Sequence, residues 1–299
     1  METATLRRMP LPAAIQLGLV ATLLAFAVIA WALTDDRMGG MDAGPGTDPG
    51  TFGFFLGVWV VMMAAMMFPS IAPMVLVYAR VQARNRQRGR ATPVGGTAIF
   101  VTGYLVSWTA AGVFLYAVAQ GAASLSSDFF AWDRAGPYLA GGIIVLAAVY
   151  QLTPLKDACL TKCRNPVSFV MTSWRPGRGG ALRMGMEHGA WCVGCCIALM
   201  GVLFALGVMS LVWMAFVAGL IAIEKLLPWK ALANRGIPVL LVVLGLAVAL
   251  APERVPGLTE PGSAEAMQAM PSTEMQPSTA TRTRPRSTTR TECACSNGR

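Results

Sequence analysis

FGFFLGVWVVMMAAMMFPSIAPMVLVYA, residues 52–79, contains no Asp, Glu, Lys or Arg. A helix with a rise of 1.5 Å per residue needs about 20 residues to cross a bilayer hydrocarbon core of roughly 30 Å. This run is long enough to cross, and unpaired backbone groups are costly in lipid, so it is predicted to be a transmembrane helix. It shows no two-residue alternation of the kind that marks a barrel strand.

The rest of the chain has the same apolar character. Of 299 residues, 55% are hydrophobic and only 13% are charged, whereas soluble domains carry about a quarter charged residues. The excess apolar residues are therefore expected to face lipid. The sequence predicts an all-α polytopic transmembrane bundle of about seven spans within a membrane domain at 1–252, the other six runs being 12–33, 96–119, 136–152, 184–206, 208–227 and 237–251.

The basic residues predict how the chain is oriented. The net charge is +9, and 16 of the 24 Lys and Arg residues fall in the N-terminus and in alternate loops. The opposite loops hold only Arg37 and Arg134, and six more Arg lie in the tail. Because short cytoplasmic loops are enriched in Lys and Arg, a bacterial inner-membrane protein with a cytoplasmic N-terminus is predicted. The lipid bilayer is then a partner, and no nucleic acid is expected, since these charges act as topology signals.

The C-terminal segment at 253–299 differs from the membrane domain. It is rich in Pro, Ser, Thr and Arg and almost free of aliphatic residues, so it cannot bury enough apolar surface to order itself. After seven spans from a cytoplasmic start, we expect a disordered extracytoplasmic tail.

The densest group of metal-ligating side chains lies in EHGAWCVGCC, residues 187–196. Residues three and four apart share one face of a helix, so His188, Cys192 and Cys195 form one stripe, with Cys196 at its edge. Imidazole and thiolate are ligands that zinc and copper prefer. One helix supplies only part of a coordination shell, so a second segment must provide the rest.

A candidate for that second segment is YQLTPLKDACLTKC, residues 150–163. Cys159 and Cys163 are four residues apart and face one direction on a helix. Both lie near the cytoplasmic end of the predicted fourth span. A site for a soft metal, with copper favoured and zinc as the other choice, is therefore predicted at the inner interface if the two segments meet. The alternative is that these cysteines only fill space as small apolar residues.

Two further features bear on this site. Met66 and Met67 precede Pro69 and Pro73 in the second span, and thioether sulfur suits Cu(I), although Met is also an ordinary core residue. At the end of the sixth span, Lys225 is expected to snorkel to lipid headgroups. Its neighbour Glu224 is then expected to face another helix or water.

The chain also resembles a known family. AMMFPSIAPM (65–74), YQLTPLKDACLTKC (150–163), EHGAWCVGCC (187–196) and EKLLPW (224–229) are similar, in content and order, to the motifs of a bacterial domain-of-unknown-function family of predicted metal-binding integral membrane proteins. The resemblance covers roughly residues 50–235. It implies a multi-pass membrane protein with a metal site and names no reaction.

The favoured function is the handling of a soft metal ion, either transport, sensing or delivery to a partner protein. Two alternatives stay open: a membrane thiol–disulfide oxidoreductase, because Cys192 and Cys195 have the C-x-x-C spacing, and a non-catalytic subunit of a membrane complex. The sequence contains neither a phosphate-binding P-loop nor a serine nucleophile elbow, and its single His excludes bis-histidine haem ligation. Enzyme activity is therefore not favoured.

Overall fold

The computed structural model describes residues 12–38, 50–125, 135–208, 210–227 and 230–258. In these ranges the regular elements are nine α-helices and one 3-10 turn at Pro252–Arg254, with no strand. The all-α prediction is confirmed. In chain order the helices are α1 (Ala13–Met38), α2 (Phe52–Gln87), α3 (Gly96–Leu125), α4 (Gly136–Gln151), α5 (Pro154–Arg164), α6 (Pro166–Ser173), α7 (Gly177–Leu206), α8 (Leu211–Leu226) and α9 (Lys230–Leu250).

Four helices, α1, α2, α3 and α7, are long and apolar enough to cross a membrane, and α4 with α5 makes a fifth candidate if the bent pair counts as one span. The last two predicted spans correspond to α8 and α9. The count of seven and the orientation stay predictions. The tail beyond residue 258 lies outside the described residues.

Large apolar side chains cover the outer faces of several helices. Leu17 on α1, Leu146 on α4 and Val239 on α9 are 70%, 68% and 63% exposed. Soluble monomers rarely expose wide apolar patches. These faces are therefore compatible with insertion into a membrane.

The bend between α4 and α5 is 67° and is encoded by the local sequence. A residue before proline is disfavoured in the α region, and Thr153, which precedes Pro154, is extended (φ −79°, ψ 146°). Its side chain then accepts from the Lys156 N–H, capping α5 in the manner expected of a threonine N-cap. Because of this bend, α5 turns its cysteines toward the bundle centre.

Helix α7 is the central element, packed on α3, α4, α5 and α8. Its contact with α3 depends on Gly185 and Gly189, where an added Cβ would collide with the Phe100 carbonyl and with the Tyr104 carbonyl and Ser107 side chain, respectively. Small residues four apart allow this close approach of two helices. α3 therefore lies directly against the face of α7 that carries the predicted ligands.

Candidate metal centre

Three cysteines of α7 point into the bundle. Cys192, Cys195 and Cys196 are each at most 1% exposed. The Cys195 Sγ lies 3.4 Å from the Cys196 Sγ and donates to the Cys192 carbonyl at 3.2 Å. The helical spacing thus brings these sulfur atoms into one buried group, as the sequence predicts.

Helix α5 adds a fourth cysteine from a separate segment. The Cys163 Sγ lies 3.8 Å from the Cys195 Sγ. The sulfur atoms of Cys163, Cys192 and Cys195 all lie within 4.8 Å of one another. We call these three residues the cysteine cluster. The sequence could not show whether these two segments meet. In the structure, α5 and α7 do meet at the cluster.

Polar contacts at both ends hold α5 in place. The buried Lys156 ammonium donates to the Glu224 carboxylate of α8 at 2.6 Å. The Arg164 guanidinium donates to the backbone carbonyl of Glu224 at 2.5 Å. A buried charge is tolerated when it is paired and hydrogen-bonded. These contacts fix the position of Cys163, which lies between them on α5.

Lys225 points into the bundle. Its ammonium donates to the Cys192 Sγ at 2.9 Å and lies 3.9 Å from the Met67 Sδ. The prediction that this lysine snorkels to headgroups is therefore wrong. Glu224 faces α5, so the two adjacent residues have separate partners. The reason is that the Cys192 sulfur inside the bundle gives the ammonium a hydrogen-bond partner.

A tyrosine from α3 completes the surroundings of Cys192. The Tyr104 hydroxyl lies 3.1 Å from the Cys192 Sγ, and the residue is fully buried. A buried tyrosine usually finds a hydrogen-bond partner. Sequence reasoning missed Tyr104 and the inward direction of Lys225. The sequence shows only that a tyrosine and a lysine occur within apolar helices. It does not show that both side chains contact Cys192.

Not every predicted ligand joins the cluster. The Cys159 sulfur lies against Gly194, where an added Cβ would come within 2.8 Å of it, and Cys159 is not in the group of three. Cys196 contacts the group through the sulfur atoms of Cys195 and Cys192 but is not one of the three. Met67 is linked to the cluster through Lys225, and Met66 is buried on α2. Four-residue spacing on α5 could not settle which of its two sulfur atoms joins the cluster.

His188 lies one helical turn before Cys192 and also stays outside the group. Its ring is buried among those of Phe100, Tyr104 and Phe169, with centroid distances of 6.1, 5.9 and 5.2 Å. Its Nδ1 is buried without a hydrogen-bond partner among the described residues. The prediction that His188 belongs to the same coordination shell as the cysteines stays a prediction.

The cluster lies in the part of the chain that matches a known family model, described as PpoB2, copper chaperone, over residues 56–248. The chain belongs to the PpoB2 copper chaperone family. The resemblance inferred from the motifs, to a family of metal-binding proteins, is thereby confirmed. No curated protein and no solved structure matched the chain.

The PpoB2 match covers all of the cluster residues together with Tyr104 and Lys225, and leaves out α1. The chemistry of the cluster agrees with the description of the family. Thiolate sulfur selects Cu(I), zinc and iron–sulfur clusters over hard cations. The PpoB2 fold therefore presents a buried, sulfur-rich position suited to a soft ion.

Proposed function

We propose that this protein is a membrane-embedded Cu(I) chaperone that holds the ion on the cysteine cluster and hands it to a partner protein. The observation that supports this most strongly is the convergence of three sulfur atoms within 4.8 Å from two helices. Copper is the cargo of the site. The membership of the copper chaperone family supports the choice of metal.

The ligand set favours copper over zinc. Structural zinc sites in proteins are almost always closed by four ligands in a tetrahedron, whereas the compact group found among the described residues has three. Soft thiolate ligands suit Cu(I). A metal ion with three sulfur ligands also keeps one coordination position free, and a ligand from the partner protein can bind there during transfer.

Lys225 makes the charge of this site tolerable. Ionised thiolates in a buried place are costly unless a charge of opposite sign accompanies them. The ammonium 2.9 Å from the Cys192 Sγ supplies that charge before the ion arrives. Bound Cu(I) then adds a second positive charge among the sulfurs.

The apolar helices support a membrane location, and we propose the bacterial inner membrane with a cytoplasmic N-terminus and an extracytoplasmic tail. The excess of Lys and Arg in alternate loops supports this orientation. We also propose that the partner is a metal-delivery protein or a copper-requiring target. Its binding would complete the transfer.

The oxidoreductase alternative is disfavoured by burial. Thiol–disulfide exchange requires an incoming sulfur to reach the attacked sulfur. Cys192 and Cys195 are each 1% exposed, and the five described cysteines are all free thiols. A partner disulfide has no direct access to this C-x-x-C pair.

The test is elemental analysis of detergent-purified protein expressed with mixed copper, zinc and iron. The Cys192→Ser variant removes a cluster sulfur, and Cys159→Ser is its matched control because that sulfur lies outside the cluster. We expect close to one copper per chain in the wild type and in Cys159→Ser, with loss in Cys192→Ser. Equal copper in both variants would contradict the proposal, and a metal-free wild type with reactive thiols would favour redox chemistry.

A further inference from the structure

The imidazole of His188 is buried in an aromatic environment. Three aromatic rings surround it, so a phenylalanine would fill the same space. Its Nδ1 has no hydrogen-bond partner among the described residues, and burying a polar group without a partner is unfavourable. An orphaned polar group of this kind calls for an explanation, of which an ion or a catalytic role is one.

A second soft donor lies one turn before this histidine. Met184 is fully buried on the same helix, and side chains four residues apart are neighbours on a helix, with Cβ atoms about 5–6 Å apart. Its Sδ accepts a hydrogen bond from the Arg175 N–H at 3.3 Å. Arg175 belongs to the break between α6 and α7, so Met184 packs against the segment that precedes α7, and His188 lies one turn further along the helix.

His188 also adjoins the cysteine cluster. Cys192 follows it by four residues. Tyr104 connects the two, because its ring stacks on the imidazole while its hydroxyl lies 3.1 Å from the Cys192 Sγ. Met184, His188 and Cys192 thus form a series of soft donors at successive turns of α7, running from the first part of the helix to the cluster.

We propose that Met184 and His188 form a second Cu(I) position, through which the ion passes on its way to the cysteine cluster. This inference rests on the proposed function and adds the route by which the site is loaded. Thioether and imidazole both suit copper, and they carry no negative charge. This position therefore binds Cu(I) more weakly than three thiolates do, so an ion held there moves on to the cluster.

A half-exposed polar rim brings the protein surface close to this position. Glu187 accepts from the Ser173 hydroxyl at 3.2 Å and pairs with Arg175 at 3.9 Å. Its carboxylate is 36% exposed, and Arg175, Arg178 and Arg183 around the start of α7 are exposed as well. The buried methionine lies one turn away.

The experiment separates the rate of loading from the affinity at equilibrium. Wild-type protein in detergent is mixed with a Cu(I)–bicinchoninate complex, and transfer is followed by stopped-flow absorbance; a competition titration with the same chelator gives the affinity. The variants are His188→Phe and Met184→Leu, which keep apolar volume. Met186→Leu is the matched control, because that methionine is on the same helix but is 40% exposed.

We expect loading to slow by about tenfold or more in both variants, within the range over which association rates vary among related complexes. The affinity at equilibrium should change little, and Met186→Leu should behave as the wild type. Wild-type loading rates in both variants would overturn the entry position while leaving the proposed function intact. A large loss of affinity in His188→Phe would also overturn it, because the histidine would then belong to the final site. A wild type that does not bind Cu(I) would overturn both proposals.

A spectroscopic measurement gives an independent check. In a Cys163→Ser, Cys192→Ser, Cys195→Ser background, Cu(I) retained at high concentration should show nitrogen and sulfur neighbours by X-ray absorption. Adding His188→Phe should remove the nitrogen signal. Unchanged spectra would contradict the assignment of His188 as a ligand.

Discussion

The Lys225 ammonium lies 2.9 Å from the Cys192 sulfur, inside the bundle. We predict that Lys225→Leu lowers the affinity for Cu(I) by about tenfold, because hydrogen bonds to charged groups contribute about 1.5–3 kcal/mol. The measurement is a chelator competition titration. Lys162→Leu is the control, since Lys162 is an exposed lysine on α5, and an equal loss in both variants would contradict a specific role for Lys225.

The Tyr104 hydroxyl contacts the same sulfur from the opposite helix. We predict a smaller effect for Tyr104→Phe, a loss of roughly twofold to tenfold in Cu(I) affinity, because a hydrogen bond contributes about 0.5–1.5 kcal/mol. Tyr116→Phe is the matched control, since its hydroxyl bonds to the distant Gly50 carbonyl. If Tyr104→Phe bound copper as the wild type does, the hydroxyl would have no part in holding Cys192.

The buried Lys156–Glu224 pair joins α5 to α8. We predict that Glu224→Gln destabilises the protein by about 3–5 kcal/mol, because it leaves a buried lysine unpaired. The double variant Lys156→Met, Glu224→Leu should recover much of this loss. Thermal unfolding in detergent measures both effects, and additive losses in the double variant would show that the pair is not coupled.

Gly194 leaves room for the sulfur of Cys159. We predict that Gly194→Ala destabilises the contact between α7 and α5 by about 1–3 kcal/mol, the usual effect of overpacking, and lowers Cu(I) affinity without removing a ligand. Adding Cys159→Ala should restore both, because the colliding atom is then gone. Failure of this rescue would mean that Gly194 matters through another contact, such as the Tyr150 hydroxyl on its carbonyl.

Two glycines of α7 provide a matched pair for the packing on α3. Gly185→Ala should be strongly destabilising, since its Cβ would collide with the Phe100 backbone, whereas Gly201 has open space around it. We predict that Gly201→Ala raises stability by about 0.5–1 kcal/mol, the usual gain from replacing glycine within a helix. Similar melting temperatures for the two variants would contradict the close approach of α3.

The helices and the composition of the site could be predicted from the sequence because both depend on local patterns. Apolar runs predicted every long helix, and helical spacing placed His188, Cys192 and Cys195 along one helix. The pairing of α5 with α7 could not be predicted, since one-dimensional spacing carries no information on which helices touch. The choice between Cys159 and Cys163 could not be predicted either, because it depends on how α5 packs against α7.

Lys225 shows a second limit of sequence reasoning. A lysine near the end of an apolar helix is expected at the headgroup level. Its direction was decided by a sulfur atom on another helix and by Met67 on a third. The direction of this side chain depends on tertiary contacts. The preference of a lysine in an isolated helix therefore predicts the wrong direction.

The three residues of the cluster differ in their exposure to the surroundings. Cys192 and Cys195 are buried, while Cys163, on the short helix after the bend, is only half-buried. An incoming ligand that displaces sulfurs one at a time would therefore meet Cys163 first. We expect Cys192 and Cys195, which are buried, to determine the affinity for Cu(I), and Cys163, which is half-buried, to determine its residence time. Different substitutions should then alter the two quantities separately.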